Sequence, residues 1–152
     1  MKILVPPAGS ATLPDLRAAA RAKTSGPVFR AEWGLITASQ VAFYCAAIGV
    51  ADPIHYNLEA ARENGFDRLV VNGSFRWSLM TLTAEEIFGS VGWIAESTCR
   101  HLAPMSVGAT VVVELELTEL DEESRRCVVA GRNVIDSSIV DRSEIVLRLE
   151  QQ

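Results

Sequence analysis

The chain has 152 residues, enough for one domain that buries about two-thirds of its unfolded surface, so neither disulfides nor a metal are needed to hold it together. A net charge of −5 and a pI near 5.0, with Arg125-Arg126 the only adjacent basic pair, argue against a nucleic-acid-binding protein, because phosphate contacts need clustered Lys and Arg. Cys45, Cys99 and Cys127 are far apart and form no CxxC, which fits three reduced thiols and a cytoplasmic location. The apolar run Ile3-Leu4-Val5 is too short for a signal peptide, and no stretch approaches the roughly 18 apolar residues of a membrane span.

Residues 1–27 read as an N-terminal arm, broken by Pro6-Pro7, Gly9-Ser10 and Gly26-Pro27, with one or two helical turns from Pro14. Residues 28–152 form the domain proper. Val28 to Trp33 is a short strand. Thr37 is placed to cap a helix over Ala38 to Ile48, with Val41, Tyr44, Cys45 and Ile48 on one face and Gly49 at its end. Pro53 forces Val50 to Tyr56 out of regular helix. Asn57 then caps a short helix from Leu58 to Glu63.

From Ser74 the apolar residues recur at helical spacing through Phe75, Leu79, Leu82, Ile87 and Phe88, and Gly89 ends the run. So apolar a helix belongs in the middle of the molecule. The rest reads as strand: Trp93 to Leu102, Thr110 to Glu119, Arg125 to Ile135 and Ile139 to Leu149. In the second of these Val111, Val113, Leu115 and Leu117 alternate with Val112, Glu114, Glu116 and Thr118. Consecutive antiparallel strands joined by hairpins are expected. The whole is an α+β domain in which an antiparallel sheet wraps one buried helix, a hot-dog architecture. A sheet covered on one face by one helix calls for a second copy, so a dimer is expected.

Two histidines are present. His101 falls within a strand and reads as a packed or solvated residue. His55 lies in an irregular loop three residues after Asp52, with Pro53 fixing the path between them. A histidine beside a carboxylate can move protons near neutral pH. The same string also fits an aspartate capping a turn beside a surface histidine. Downstream, Asn72-Gly73-Ser74 opens the buried helix. Its start leaves backbone N–H groups without partners, which can receive developing negative charge. It also fits a plain Asn or Ser cap with a glycine for close packing.

Taken together, these segments resemble the MaoC-like family of acyl-thioester hydratases and dehydratases. That family's pattern runs Gly-Asp-x-Asn-Pro-[Ile/Leu]-His, then an acidic-Ala-Ala helix, Gly-Phe, an apolar run and His-Gly. Matching it are Gly49-Val50-Ala51-Asp52-Pro53-Ile54-His55, Glu59-Ala60-Ala61, Gly65-Phe66, Leu69-Val70-Val71 and Asn72-Gly73. Leu102-Ala103-Pro104 and Gly108 are similar too, and the likeness runs from about Val28 to Leu149. The departures are specific: Val50 holds the family's catalytic aspartate position, Asp52 its asparagine position, and Asn72 replaces the histidine before Gly73.

The resemblance implies addition of water to an enoyl thioester, or its loss from a 3-hydroxyacyl thioester, of coenzyme A or an acyl carrier protein. It implies His55, Asp52 and Gly73 as catalytic residues, with Asp52 standing in for the missing aspartate and the Gly73 N–H polarising the thioester carbonyl. Asn72, Ser74, Val50, Tyr44 and Trp77 are the expected substrate-binding residues. Val50 also opens two alternatives: a repurposed lyase or cyclase acting on a bulkier substrate, or a non-catalytic hot-dog partner subunit. No cofactor and no metal are expected, since a single loop histidine makes no metal site and no nucleotide-type glycine loop is present. The expected assembly is a homodimer or a heterodimer, with no membrane partner.

Overall fold

The structure, a computed structural model, describes residues 2–5, 11–21 and 28–150. Its elements in chain order are β1 (Lys2–Val5), α1 (Leu13–Arg21), β2 (Val28–Leu35), α2 (Ala38–Ile48), a 3-10 turn (Pro53–His55) and α3 (Leu58–Glu63). They continue with α4 (Gly73–Phe88), β3 (Gly92–His101), β4 (Thr110–Asp121), β5 (Arg126–Ile135) and β6 (Ser138–Leu149).

The caps are where the side-chain chemistry requires them. Thr37 accepts from the N–H of Gln40, while the Gln40 side chain reaches back to Thr37, closing a capping box. Gly49 ends α2 at φ +72°, a left-handed conformation costly for any residue with a Cβ. Asn57 caps α3 by accepting from Glu59 and Ala60. Asn72 caps α4 by accepting from Ser74 and Phe75.

Six antiparallel strands form one sheet in the order β1-β2-β4-β5-β6-β3. Strands β4, β5 and β6 follow one another as hairpins, as the sequence suggests. Strand β3 does not continue that series. It lies beyond β6, with Ser97 opposite Ile145 and His101 opposite Asp141. The chain reaches β4 through Leu102–Ala109, which runs across the mouth of the sheet and pairs with the segment entering α4: Val71 N–H donates to Met105 O and Val107 N–H to Leu69 O.

Helix α4 lies on the concave face, and this is the hot-dog arrangement: one central helix wrapped by an antiparallel sheet. Leu79, Met80, Ala84, Ile87 and Phe88 are buried against Val111, Val113, Leu115, Val129, Ile145 and Leu147. The alternation read in β4 is realised, with Val111, Val113 and Leu115 fully buried and Thr118 exposed. The buried stripe of α4 is shifted from the apolar count: Leu82 is half exposed, while Arg76 and Thr83 are buried. Each of those polar side chains has a partner, which is what makes its burial tolerable. On α2, Val41 and Cys45 face the core, whereas Ile48 stays out. The segment set apart as an arm also enters the core. Leu16 of α1 is fully buried, and Ala11 N–H donates to Ile87 O at 2.7 Å.

Candidate active site

The 3-10 turn brings His55 inward. Ile54 O accepts from Val70 N–H, stitching the turn to the strand-like segment that leads into α4. His55 is consequently buried, at 7 % exposure, rather than on the surface. Its Nδ1 lies 2.8 Å from Val70 O, an acceptor only, so Nδ1 carries the proton. Its Nε2 lies 3.3 Å from the Asn72 side-chain nitrogen.

The orientation of Asn72 is fixed from the other side. Its Oδ1 accepts from Ser74 N–H at 2.9 Å, from the Ser74 hydroxyl at 2.6 Å and from Phe75 N–H at 3.3 Å. Nδ2 must therefore face His55 as a donor, and His55 Nε2 must present its lone pair. Both ends of the imidazole thus give the same tautomer, with the basic nitrogen directed at the start of α4. A separation of 3.3 Å is long for an N–H···N bond, so this contact aims the ring while holding the lone pair only weakly.

Gly73 is the first residue of α4. Asn72 Oδ1 takes the N–H groups of Ser74 and Phe75, and Asn72 O takes that of Arg76. The Gly73 N–H is left with no acceptor among the described residues. It lies next to the His55 contact, at the positive end of a 16-residue helix.

The remaining candidates take different places. Asp52 is exposed, and its carboxylate accepts from Ile54 N–H at 3.2 Å, capping the 3-10 turn; no hydrogen bond joins it to the His55 ring among the described residues. Of the two readings of Asp52-Pro53-Ile54-His55, the capping aspartate is realised, together with a buried rather than a surface histidine. Val50 packs partly buried on the core. Tyr44 meets Phe75 edge to face, ring centroids 5.0 Å apart, bringing α2 against the first turn of α4. Ser74 is held by Asn72. Trp77 projects on the β3 side, donating to the Ser97 hydroxyl at 2.8 Å. A cavity of about 510 Å³ lies on the outer face of the sheet, lined by residues such as Arg30, Glu114, Val134 and Ile139, and holds none of these residues.

Sequence reasoning passed over a second constellation at Gly73. His101 ends β3, and its Nδ1 lies 2.6 Å from Oδ1 of Asp141, its cross-strand partner on β6. Asp141 is fully buried. Its two oxygens also receive Arg76 Nε at 3.1 Å, Arg76 Nη2 at 2.6 Å and Asn133 Nδ2 at 2.8 Å. A Cβ built on Gly73 would lie 2.7 Å from His101 Nε2, so the ring rests directly over that glycine and would have to shift to admit a side chain there. The signal in the sequence was an unusual Arg on an apolar helix, yet its partner is set by strand pairing 65 residues away.

Cys99, His101 and Asp141 have ligand atoms within 4.8 Å of one another. Their chemistry does not suit a cation. The Asp141 oxygens already face a guanidinium, and burial, followed by the nearby Asp141 charge, pushes the Cys99 thiol up to about 11, keeping it protonated.

Comparison with known proteins adds the following. The sequence model of the MaoC-like domain matches residues 20–138. No curated protein sequence matches the chain. Among solved structures, an (R)-hydratase from A. caviae involved in PHA biosynthesis superposes with a TM-score of 0.76 at 22 % identity, covering 86 % of this chain and all of that one. The R-hydratase PhaJ1 from Pseudomonas aeruginosa gives 0.76 at 18 % identity, covering 88 % and 86 % of the two chains. The HadBC (3R-hydroxyacyl-ACP dehydratase) complex from Mycobacterium tuberculosis gives 0.69 at 18 %, covering 81 % and 96 %. At these identities the likeness is one of fold.

Proposed function

The chain belongs to the MaoC-like domain family, and from that premise we propose that it hydrates an enoyl thioester, or dehydrates a 3-hydroxyacyl thioester, of coenzyme A or an acyl carrier protein. One observation carries the reading: His55 is locked in the tautomer that presents Nε2, beside a Gly73 N–H with no acceptor of its own. In the hydration direction His55 Nε2 takes a proton from water as its oxygen attacks C3. The charge that develops on the thioester oxygen is received by the Gly73 N–H. Such a donor strengthens its hydrogen bond as the charge grows, which lowers the barrier without tightening the ground state equally.

Asn72, Ser74, Val50 and Tyr44 shape the entrance beside this nitrogen, and Trp77 shapes its β3 side. Asp52 contributes by holding the 3-10 turn, and so the path of His55. The exposed α2 side chains Phe43 and Ile48, with Leu35, Tyr56 and Leu58 on neighbouring elements, form apolar surface that a second copy would cover. No helix among the described residues is long and apolar enough to cross a membrane. A cytoplasmic place fits carriers of this kind.

The test is the hydration of crotonyl and longer enoyl thioesters, followed by loss of the conjugated absorbance. His55→Ala is expected to lose about 10²-fold or more in rate, the usual contribution of one acid–base group. Full activity in that variant would sink the proposal. The capping role of Asp52 favours a second reading, a partner subunit that binds thioesters without converting them. Tight thioester binding by the purified chain, with no turnover of any length tested, would establish that reading instead.

A further inference from the structure

We infer that His101, held by Asp141, is a second proton-transfer residue of this site, acting at C2 of the thioester from its place over Gly73, the residue after the one that His55 contacts. The inference rests on the proposed hydratase reading and extends it. Adding water to an enoyl group takes two proton transfers, one from the attacking oxygen and one to carbon. His55 serves one of them, and position 50, a valine, serves none.

The geometry of His101 suits the other. Asp141 accepts from Nδ1, so in the neutral ring Nε2 has the lone pair, and Nε2 lies over Gly73. The Gly73 N–H is the group assigned to the carbonyl oxygen. C2 is bonded to that carbonyl carbon and C3 is one atom further away, so the ring resting on Gly73 is nearer C2. The carboxylate cannot swing: it is fully buried and tied by Arg76 and Asn133. His101 itself is 41 % exposed, open to a ligand in a way that a purely structural histidine at the end of a buried network need not be. The charged and titratable groups around it are Asp141 from β6, Arg76 from α4, whose Nη2 shares Oδ1 of that carboxylate with His101, and Cys99 on its own strand, whose Sγ lies 3.8 Å from Nδ1.

The step balances. In dehydration neutral His101 Nε2 takes the proton from C2. The C–H electron pair becomes the C2–C3 π bond through an enolate whose oxygen is held by Gly73 N–H. The C3–O bond breaks, and its oxygen leaves as water with a proton from Nε2 of His55, which enters this direction of the reaction as the imidazolium. The imidazolium of His101 is paired with Asp141, and solvent returns the proton from one ring to the other. Asp141 acts through His101 and is a positioning residue.

His101→Asn tests this, because its amide can still donate to Asp141 while Nε2 is gone. Dehydration of a 3-hydroxyacyl thioester carrying deuterium at C2 is followed across pH, with thermal melting as the control for folding. The expected result is a kcat lower by about 10²–10⁴-fold with little change in KM, loss of the acid limb of the pH profile, and a larger isotope effect at C2. His55→Ala should instead lose the alkaline limb. An active wild type whose His101→Asn variant keeps its kcat, both limbs and its isotope effect overturns the inference and leaves the proposed function standing. A wild type inactive on every thioester overturns the proposed function and the inference with it. Should His101→Asn melt early, His101→Gln on the same three readouts decides the matter.

Discussion

The side-chain amide of Asn72 serves two neighbours at once: its oxygen caps α4 and its nitrogen aims His55. Asn72→Asp separates the two roles. The carboxylate keeps the cap and suits the positive end of the helix, so stability should hold in urea denaturation. It also places negative charge where an N–H donor faced Nε2, which favours the imidazolium form. The unprotonated base would then appear only at higher pH, so the acid limb set by His55 in hydration should move upward. Asn72→Ala removes both roles, with a cap loss of about 1 kcal/mol added to the activity loss. At this scale the sequence was half legible. The string Asp52-Pro53-Ile54-His55 announced an irregular loop with a histidine, but not that Asp52 would spend its carboxylate on Ile54 N–H. His101 looked inert because a strand residue's chemistry depends on its cross-strand neighbour, and Asp141 is 40 residues away.

Helix α4 concentrates the chemistry at one end and the packing at the other. Arg76, in its first turn, is 4 % exposed and donates to Asp141, Ala103 O and Val140 O. That clamp joins α4, the Leu102–Ala109 crossing and β6. Two desolvated charges in contact return little net stability, but removing one strands the other. Asp141→Leu should therefore cost about 3–5 kcal/mol in urea unfolding. A loss under 1 kcal/mol would mean that Arg76 has another route to water. Gly73→Ala probes the first residue of that same turn. Its new methyl would meet His101 Nε2, the movable end of a half-exposed side chain, so the fold should survive while His101 is displaced. Melting should change little and turnover should fall. The helix boundaries were readable because caps are local: Thr37, Asn57 and Asn72 each bond within three residues of themselves. The place of β3 beyond β6 was not, because strand order is fixed by non-local pairing that no local pattern records.

At the scale of the whole molecule, the alternation in β4 and the apolar run of α4 were enough for a sheet around a helix, whereas the docking of α1 depended on two leucines, Leu13 and Leu16, in an otherwise polar, alanine-rich stretch. Leu16 is fully buried and Ala11 is hydrogen-bonded to the end of α4. Leu16→Ala should cost about 2–5 kcal/mol if α1 folds with the domain. A negligible loss would mean that α1 undocks independently. Arg17 and Glu122 form the outer fastening, with Arg17 Nε at 2.9 Å and Nη2 at 2.6 Å from one Glu122 oxygen. That guanidinium holds the Glu122 carboxyl below its ordinary value of 4.5. A depressed carboxyl stabilises the folded state above its unfolded pKa, and the contribution is lost as the pH falls through the lowered value. Both side chains are exposed, so the effect is modest and weakens with salt. Hydrogen-exchange protection of the α1 amides, taken relative to the intrinsic rate at each pH, should therefore fall in acid before that of α4, and the difference should narrow at high ionic strength. In Glu122→Gln the acid step should disappear, whereas a step that persists there would assign it to Asp15, whose carboxyl is held down by the Thr12 hydroxyl and N–H at the start of the same helix.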